Sequence, residues 1–463
     1  MGIRKYFGDR KFYKMVLGIA IPIMLQNAIT NFVNLLDNIM VGNLGTEAVS
    51  GVAIVNQLFF VFALCVFGLL AGAGIFTAQF HGKRDEEGVK KTFRIKLVFV
   101  LAVSVAALLL FLFFKDWLIS LYLSEGKEGD LALTLEFGRE YLSIMAIGMI
   151  PYALVQAYAS TMRETEHAVL PTVAGFIAVL FNCVGNYVLI FGKLGLPAMG
   201  VKGAAVATVI SRVIELLILL IVPQIRRNRF SEIVGTVTFV RKPDWALLKQ
   251  VVVKGFPLLI NETAWATGMS ALVQVYSTRG LDVVAGVNIA NTFINLFNIA
   301  ALALGTSVGI IVGKYLGACE FETAVDTDRK MIVLATLTGL GLGLLMFGFT
   351  KIFPVIYPYL YKTSDAVLES AVSAMTVAAC FMPVVSFLHA CYFTIRSGGK
   401  TWITFAFDSV YVCLLNYPVV LLVSKLTDWP FIGLFILSNL LDLIKCTVGF
   451  ILVKKKKWVQ KIV

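Results

Sequence analysis

The chain has 463 residues, of which 59% are apolar and only 15% are charged, and its mean hydropathy is +0.85. A soluble domain carries about 25% charged residues, so this composition excludes a water-soluble globule of this length. The formal net charge of +12 would fit a nucleic-acid partner, but the basic residues gather in the connections between apolar segments, which excludes that class as well.

Twelve apolar stretches follow one another along the chain, each long enough to cross roughly 30 Å of hydrocarbon with about 20 residues. They lie near residues 15–40, 47–78, 92–116, 134–162, 168–191, 201–223, 250–278, 282–316, 330–357, 366–395, 401–425 and 431–453. The stretches do not alternate with period two and are too long for barrel strands, so they must be helices. The sequence therefore predicts an all-α integral membrane protein with twelve transmembrane helices.

The two halves of the chain repeat one pattern at a constant offset of 235 positions. The matching pairs include Pro22 with Pro257, Gly51 with Gly286, Asn56 with Asn291 and Gly82 with Gly317. Prolines and glycines fix backbone geometry, so these shared positions predict shared helix bends and close contacts. Each half has an even number of spans, which predicts two six-helix bundles related by a pseudo-two-fold axis along the membrane normal. We expect an N-terminal lobe over residues 1–228, a cytoplasmic linker over 229–239 and a C-terminal lobe over 240–463. Two equal halves of a membrane protein are typical of a transporter.

The basic residues sort by side of the membrane. Of the 40 Lys and Arg residues, 29 lie in or beside the N-terminal arm, the even-numbered connections and the tail, against nine on the other side and two inside spans. Basic residues collect in cytoplasmic loops, so we expect a multi-pass protein of the cell membrane with both termini in the cytoplasm. The run Lys454–Lys457 is expected to lie against anionic lipid headgroups.

The first span carries a polar face that is unusual for a helix in lipid. Asp37 shares this face with Gln26, Thr30 and Asn34, at successive spacings of four, four and three residues. Ionisable groups inside a membrane are costly and mark functional sites, which makes Asp37 the first candidate. The amides, Asn34 included, could instead serve only to hold helices together.

The second half offers a different polar patch, in which Glu262 lies three residues before Trp265 and next to Asn261. A carboxylate beside an indole binds an organic cation by Coulomb attraction and a cation–π contact. Asn291 and Asn295 belong to an amide stripe on span eight that either lines a substrate path or locks the helix against its neighbours. Tyr152 is a candidate for an adaptable apolar wall, with packing as the alternative.

Other charged residues have simpler interpretations. Arg212 with Glu215, and Asp442 with Lys445, stand three residues apart, so each pair is predicted to neutralise itself on one helix face. Asp408, early in span eleven, could cap, pair or face a cavity.

These features together resemble the multidrug and toxic compound extrusion (MATE) family, over nearly the whole chain. The motifs that carry the resemblance are the spacing from Pro22 to Asp37 followed by residues 41–45 (VGNLG), residues 182–187 (NCVGNY), residues 203–208 (GAAVAT), residues 255–257 (GFP) and residues 396–401 (RSGGKT).

The resemblance implies a cation-coupling site in the N-terminal lobe at Asp37, Asn182, Asn186 and Thr208. Many relatives have an aspartate where this chain has Asn186, so the site would hold one carboxylate. A second-half sodium site of some relatives pairs a glutamate in span seven with an aspartate in span ten. That site is incomplete here, because Ser386 and His389 stand where the aspartate would be needed.

The resulting hypothesis is secondary active efflux of amphiphilic, cationic organic compounds by antiport with alternating access. The coupling ion is either a proton on Asp37 or Na⁺ bound by Asp37 and neighbouring amide and hydroxyl oxygens. Alternatives are a lipid-linked precursor flippase or an exporter of one specific metabolite. No acid/base or metal constellation for an enzyme is evident, and we expect no cofactor, small-molecule and lipid partners only, and a monomer.

Overall fold

The computed structural model describes residues 3–122, 130–235, 244–360 and 364–463, without the side chains of residues 3, 4, 34, 35, 38 and 358–360. Within these ranges the chain is helical and contains no strand. The α-helices are α1 (Arg10–Gly42), α2 (Thr46–Gly82), α3 (Glu86–Ser120), α4 (Leu131–Glu164), α5 (Val169–Phe191), α6 (Val201–Ile225), α7 (Trp245–Ser277), α8 (Leu281–Gly317), α9 (Phe321–Leu360), α10 (Asp365–Ser397), α11 (Thr401–Phe405), α12 (Tyr417–Leu426) and α13 (Phe431–Lys454).

The helix α11 runs through two π-helical turns, Ala406–Val410 and Val412–Asn416, into α12, and the whole stretch Thr401–Leu426 is one candidate span. Eleven helical segments of the described chain are long and apolar enough to cross a membrane. The helix α7 also has sufficient length, with 33 residues, but it carries Lys249, Lys254 and Glu262 among its apolar side chains. Each of the twelve predicted spans falls on helix, which confirms the prediction of an all-α membrane protein.

Local sequence explains several helix ends. Asp85 and Asp130 accept hydrogen bonds from backbone N–H groups in the first turns of α3 and α4, which satisfies donors that have no partner within the helix. The helix α5 ends at Gly192, whose φ of 66° favours glycine because a side chain would be strained there.

The contacts divide the chain into two compact units. One unit contains Met1–Met24, Ala78–Arg84 and Phe256–Val463, and the other contains Leu25–Thr77 and Asp85–Gly255. The helices α1 and α2 thus contribute residues to both units. The domain boundaries predicted from chain order, with a linker at 229–239, stay a prediction, and residues 236–239 lie outside the described part.

The sequence repeat reappears as a repeat of helix crossings. A Cβ atom on Gly51 of α2 would lie 2.8 Å from the carbonyl oxygen of Thr134 on α4, and one on Gly286 of α8 would lie 2.8 Å from that of Val367 on α10. Both glycines therefore permit a close helix contact at equivalent places in the two halves, as their shared positions indicated.

A second glycine pair brings α2 and α8 together. A Cβ atom on Gly82 would lie 1.8 Å from the carbonyl oxygen of Lys314, and one on Gly317 would lie 1.9 Å from that of Gln79. Positions 79 and 82 correspond to 314 and 317 at the offset of 235, so the two contacts are equivalents of each other. Neither glycine can gain a side chain without moving backbone.

Candidate cation and substrate sites

Close packing of α5 on α6 sets the geometry of the first candidate site. A Cβ atom on Gly203 would lie 2.6 Å from the carbonyl oxygen of Leu189, so only glycine lets the two backbones approach this closely. The approach brings Asn182 and Asn186 of α5 beside Thr208 of α6. Together with Asp37 of α1, these three residues form the group that we call the Asp37 cluster.

Hydrogen bonds connect all four members of the Asp37 cluster. The side-chain Nδ2 of Asn186 donates to Oδ1 of Asp37 and, at 3.3 Å, to Oδ1 of Asn182. The Nδ2 of Asn182 donates in turn to Oγ1 of Thr208 at 3.2 Å. Asn182 and Asn186 are 2% and 0% exposed, so the network lies inside the unit. The structure brings together the four residues that the resemblance named.

One acceptor of the cluster is left over. The Oδ1 atom of Asn186 is buried and has no hydrogen-bond partner among the described residues. A buried acceptor without a partner costs about 1–3 kcal/mol, which a donor arriving at the site would recover. The cluster therefore contains a carboxylate and a free acceptor on neighbouring side chains.

Two other N-terminal predictions concern Tyr152 and the predicted ion pair of α6. Tyr152 packs its ring edge-on against Phe59 at 5.1 Å between centroids, and the guanidinium of Arg212 lies 5.7 Å from the Tyr152 ring. Arg212 donates to Glu215 at 2.8 Å, which confirms the predicted pair. The candidate Asn34 has its side chain outside the described residues.

The second candidate patch lies on α7. The hydroxyl of Tyr392 on α10 donates to Oε1 of Glu262 at 3.4 Å. Trp265 keeps 39% of its surface exposed, one turn further along the same helix. Glu262 is thus held by a neighbouring phenol, and the indole is partly exposed.

The asparagine side chains of α8 make fewer hydrogen bonds. Asn291 is half-buried and Asn295 is exposed, and neither side chain makes a hydrogen bond to another described residue. The next amide along the stripe, Asn298, has a buried Oδ1 without a partner among the described residues. Unbonded amides favour the substrate-path interpretation of the stripe over helix locking, because locking would require hydrogen bonds to a neighbouring helix.

The predicted pairing of Lys445 with Asp442 was wrong. Its Nζ pairs with Oδ1 of Asp408 at 2.8 Å, and not with Asp442 one turn away. The reason is that α13 packs beside the π-helical turn that carries Asp408, so a carboxylate on another helix meets the ammonium directly. Asp408 also accepts from Nδ2 of Asn261 at 3.0 Å, which makes it the centre of a polar network.

Sequence reasoning missed two buried polar groups. In the C-terminal half, Ser409 donates to Oδ1 of Asn261 at 2.7 Å and completes the network around Asp408. In α3, Lys96 is 0% exposed, pairs with Glu164 and donates to Ser160 and Thr161 at 3.2 and 3.1 Å. The available signal was the presence of Lys96 itself within an apolar stretch, where an unpaired ammonium would be costly.

The sequence of this chain matches a known protein family. The MatE family model matches residues 22–188 and 258–422. The probable multidrug resistance protein NorM of Thermotoga maritima is 23% identical over 97% of this chain and 94% of its own length. The probable multidrug resistance protein YoeA of Bacillus subtilis is 26% identical over 71% of this chain and 70% of its own length.

Solved structures agree in fold. A multidrug resistance MATE family transporter in an outward-facing conformation matches with a TM-score of 0.85 at 21% identity, over 98% of this chain and 97% of that chain. A mutant of the Vibrio cholerae MATE transporter VcmN matches with a TM-score of 0.85 at 14% identity, over 97% and 98% of the two chains.

Because the family model matches both halves, the chain belongs to the MatE family and is a multi-pass membrane transporter. The structural matches confirm the predicted class of fold, with twelve helices in two pseudo-symmetric bundles.

Proposed function

We propose that this protein exports amphiphilic, cationic organic compounds by proton-coupled antiport with alternating access. The observation that carries the proposal is the Asp37 cluster. In it the buried amide of Asn186 connects the carboxylate of Asp37 to the amide of Asn182, and the Asn186 oxygen has no partner among the described residues.

The cluster can satisfy Asp37 in two protonation states. An ionised carboxylate is an acceptor only, and it takes the N–H of Asn186 as the structure has it. A protonated Asp37 is also a donor, and it needs an acceptor in the same place. Rotation of the Asn186 amide by half a turn would bring its unpaired Oδ1 there, so loading a proton would replace one hydrogen-bond pattern by another.

Sodium fits the observed pattern less well. A hard cation requires several converging oxygens, and because the Nδ2 of Asn186 lies between the oxygens of Asp37 and Asn182, a sodium ion would require the same half-turn of the Asn186 amide as the proton does. With Asn at position 186, a sodium ion would also meet one carboxylate and not two. We therefore propose the proton as the coupling ion and keep Na⁺ as the alternative to be tested.

Glu262 and Trp265 support the cationic class of substrate. The carboxylate is held by Tyr392 at 3.4 Å, and the exposed indole can contribute cation–π attraction, worth about 0.5–2 kcal/mol. Two of the relatives are probable multidrug resistance proteins, which supports a broad range of substrates. Tyr152 and Asn34 in one unit, and Asn291 and Asn295 in the other, are the further residues that we propose to contact substrate.

We further propose that the protein works in the cell membrane with both termini in the cytoplasm, as a monomer, and that it is neither an enzyme nor dependent on a cofactor. The distribution of basic residues supports the orientation. Lipids and the transported small molecules would be its only partners.

The test is transport in proteoliposomes with a panel of cationic, neutral and anionic dyes, under separate proton and sodium gradients. We expect export of the cationic dyes with a proton gradient alone. Export with a sodium gradient alone would establish Na⁺ as the coupling ion. Movement of a labelled lipid-linked precursor without dye export would support a flippase, and transport of a single dye chemistry would support a dedicated metabolite exporter.

A further inference from the structure

The C-terminal unit contains a second charged site that the proposed function does not use. Lys445 of α13 and Asp408 of the first π-helical turn form an ion pair at 2.8 Å, with side chains only 9% and 17% exposed. Two buried charges inside a span require a reason, because the loss of their hydration must be offset by close interactions.

Aromatic rings surround the ammonium group. The Nζ of Lys445 lies 5.2 Å from the ring centroid of Phe407 and 5.7 Å from that of Tyr411. Both distances fall within the roughly 6 Å range of a cation–π contact. The hydroxyl of Tyr411 donates to the carbonyl oxygen of Leu441, so this ring is held in place by α13 and not by Lys445.

The carboxylate is also positioned without Lys445. Its second oxygen, Oδ2, accepts from Nδ2 of Asn261 on α7 at 3.0 Å. Ser409 fixes that amide from the other side by donating to Oδ1 of Asn261 at 2.7 Å. The backbone here is π-helical over Ala406–Val410, a rare conformation that is frequent at functional sites.

A preorganised carboxylate with two aromatic rings is the arrangement that binds a ligand ammonium group. We propose that Asp408, Phe407 and Tyr411 form an ammonium-binding cage, whose ligand class is primary alkylammonium and whose resident cation is the side chain of Lys445. The resident ammonium neutralises Asp408, so this carboxylate needs no mobile cation. The proposal goes beyond the export function, because it concerns binding at a site remote in sequence from Asp37.

The test removes the tethered cation and supplies a free one. In the purified full-length protein, Lys445→Ala shortens the side chain, and n-butylammonium has the same ammonium group and the same four carbons that lysine carries beyond Cα. Titration calorimetry measures the affinity for n-butylammonium in wild type, in Lys445→Ala and in the double variant Lys445→Ala/Asp408→Asn. The thermal midpoint with n-butanol provides a neutral control of similar shape.

We expect Lys445→Ala to bind n-butylammonium at least about tenfold more tightly than wild type or the double variant. This factor corresponds to one charge-assisted hydrogen bond between the ligand and Asp408, which the other two proteins cannot make. We expect n-butanol to leave the thermal midpoint of Lys445→Ala unchanged. Equal affinities in the three proteins, or equal stabilisation by n-butanol, would overturn the cage.

Instability of Lys445→Ala is itself informative. If the variant is monodisperse only when it is extracted in n-butylammonium, and if Asp408→Asn removes this requirement, the cage is supported. If n-butylammonium fails to rescue Lys445→Ala while Lys445→Met is stable without any amine, the site requires side-chain volume and not a cation, and the proposal is wrong. None of these measurements uses an ion gradient, so their failure leaves the proposed coupling at Asp37 unaffected.

Discussion

Asn186 donates a hydrogen bond from its side-chain Nδ2 to Oδ1 of Asp37, a residue 149 positions earlier in the chain. The two side chains come from α5 and α1. Because the buried amide donates to the carboxyl group, its hydrogen bond depends on the protonation state of Asp37. Anything that changes the charge of Asp37 must change this bond.

Replacing Asp37 by Asn should abolish gradient-driven export. The amide keeps the volume and the hydrogen-bonding capacity of the carboxyl group but cannot change its charge, so the gradient can no longer favour one state of the transporter over another. Dye efflux from proteoliposomes with an imposed gradient is the measurement, and dye binding should persist. Asp116→Asn is the matched control, because this carboxylate of α3 is 56% exposed in its salt bridge with Arg139. If Asp37→Asn exports at the wild-type rate, the coupling site lies elsewhere, and Glu262 and Asp408 are the next candidates.

Replacing Glu262 by Gln should weaken export of organic cations more than that of neutral compounds. The change removes the Coulomb attraction and keeps the shape of the side chain and its capacity to accept from Tyr392. Transport rates for a cationic and a neutral dye of similar size are compared with those of Glu369→Gln, an exposed position on α10. Equal losses for the two dyes would show that Glu262 is a structural residue.

Replacing Gly82 by Ala should destabilise the protein by about 1–3 kcal/mol, the usual cost of overpacking. The new Cβ atom would lie 1.8 Å from the carbonyl oxygen of Lys314, and neither backbone can yield without moving a helix. Thermal unfolding in detergent measures the effect. Gly18→Ala is the control, since nothing lies within 4 Å of a Cβ atom there, and it should stabilise α1 by up to about 1 kcal/mol. A thermal midpoint of Gly82→Ala that matches Gly18→Ala would contradict the close crossing of α2 and α8.

A reporter that fluoresces only in the cytoplasm should give signal when it is fused to Val463. The expectation follows from the 29 basic residues on the side of both termini against nine on the other. A dark fusion that is correctly inserted, as shown by retained dye export, would reverse the orientation.

The sequence by itself determined the helices, the repeat and some of the close helix contacts. Apolar length decides a span, because a backbone in hydrocarbon must satisfy its own hydrogen bonds. Gly51 and Gly286 predicted equivalent helix crossings, because a glycine at the same position of both repeats allows two backbones to approach closely. Both crossings are present in the structure. The Arg212–Glu215 pair was also predictable, since residues three apart on one helix are neighbours on its surface.

Only the tertiary structure decided which polar groups meet across helices. Lys445 has a carboxylate three residues away on its own helix, yet it pairs with Asp408, 37 positions away. The choice depends on the rotation and packing of α13 against a π-helical turn, and local spacing contains no information about either. In the same way, the residues of the Asp37 cluster were named by resemblance, but the direction of the Asn186 amide and its unpaired oxygen were not. Local rules fix the helices because the backbone bonds within itself, whereas buried side chains find partners only once the helices have packed.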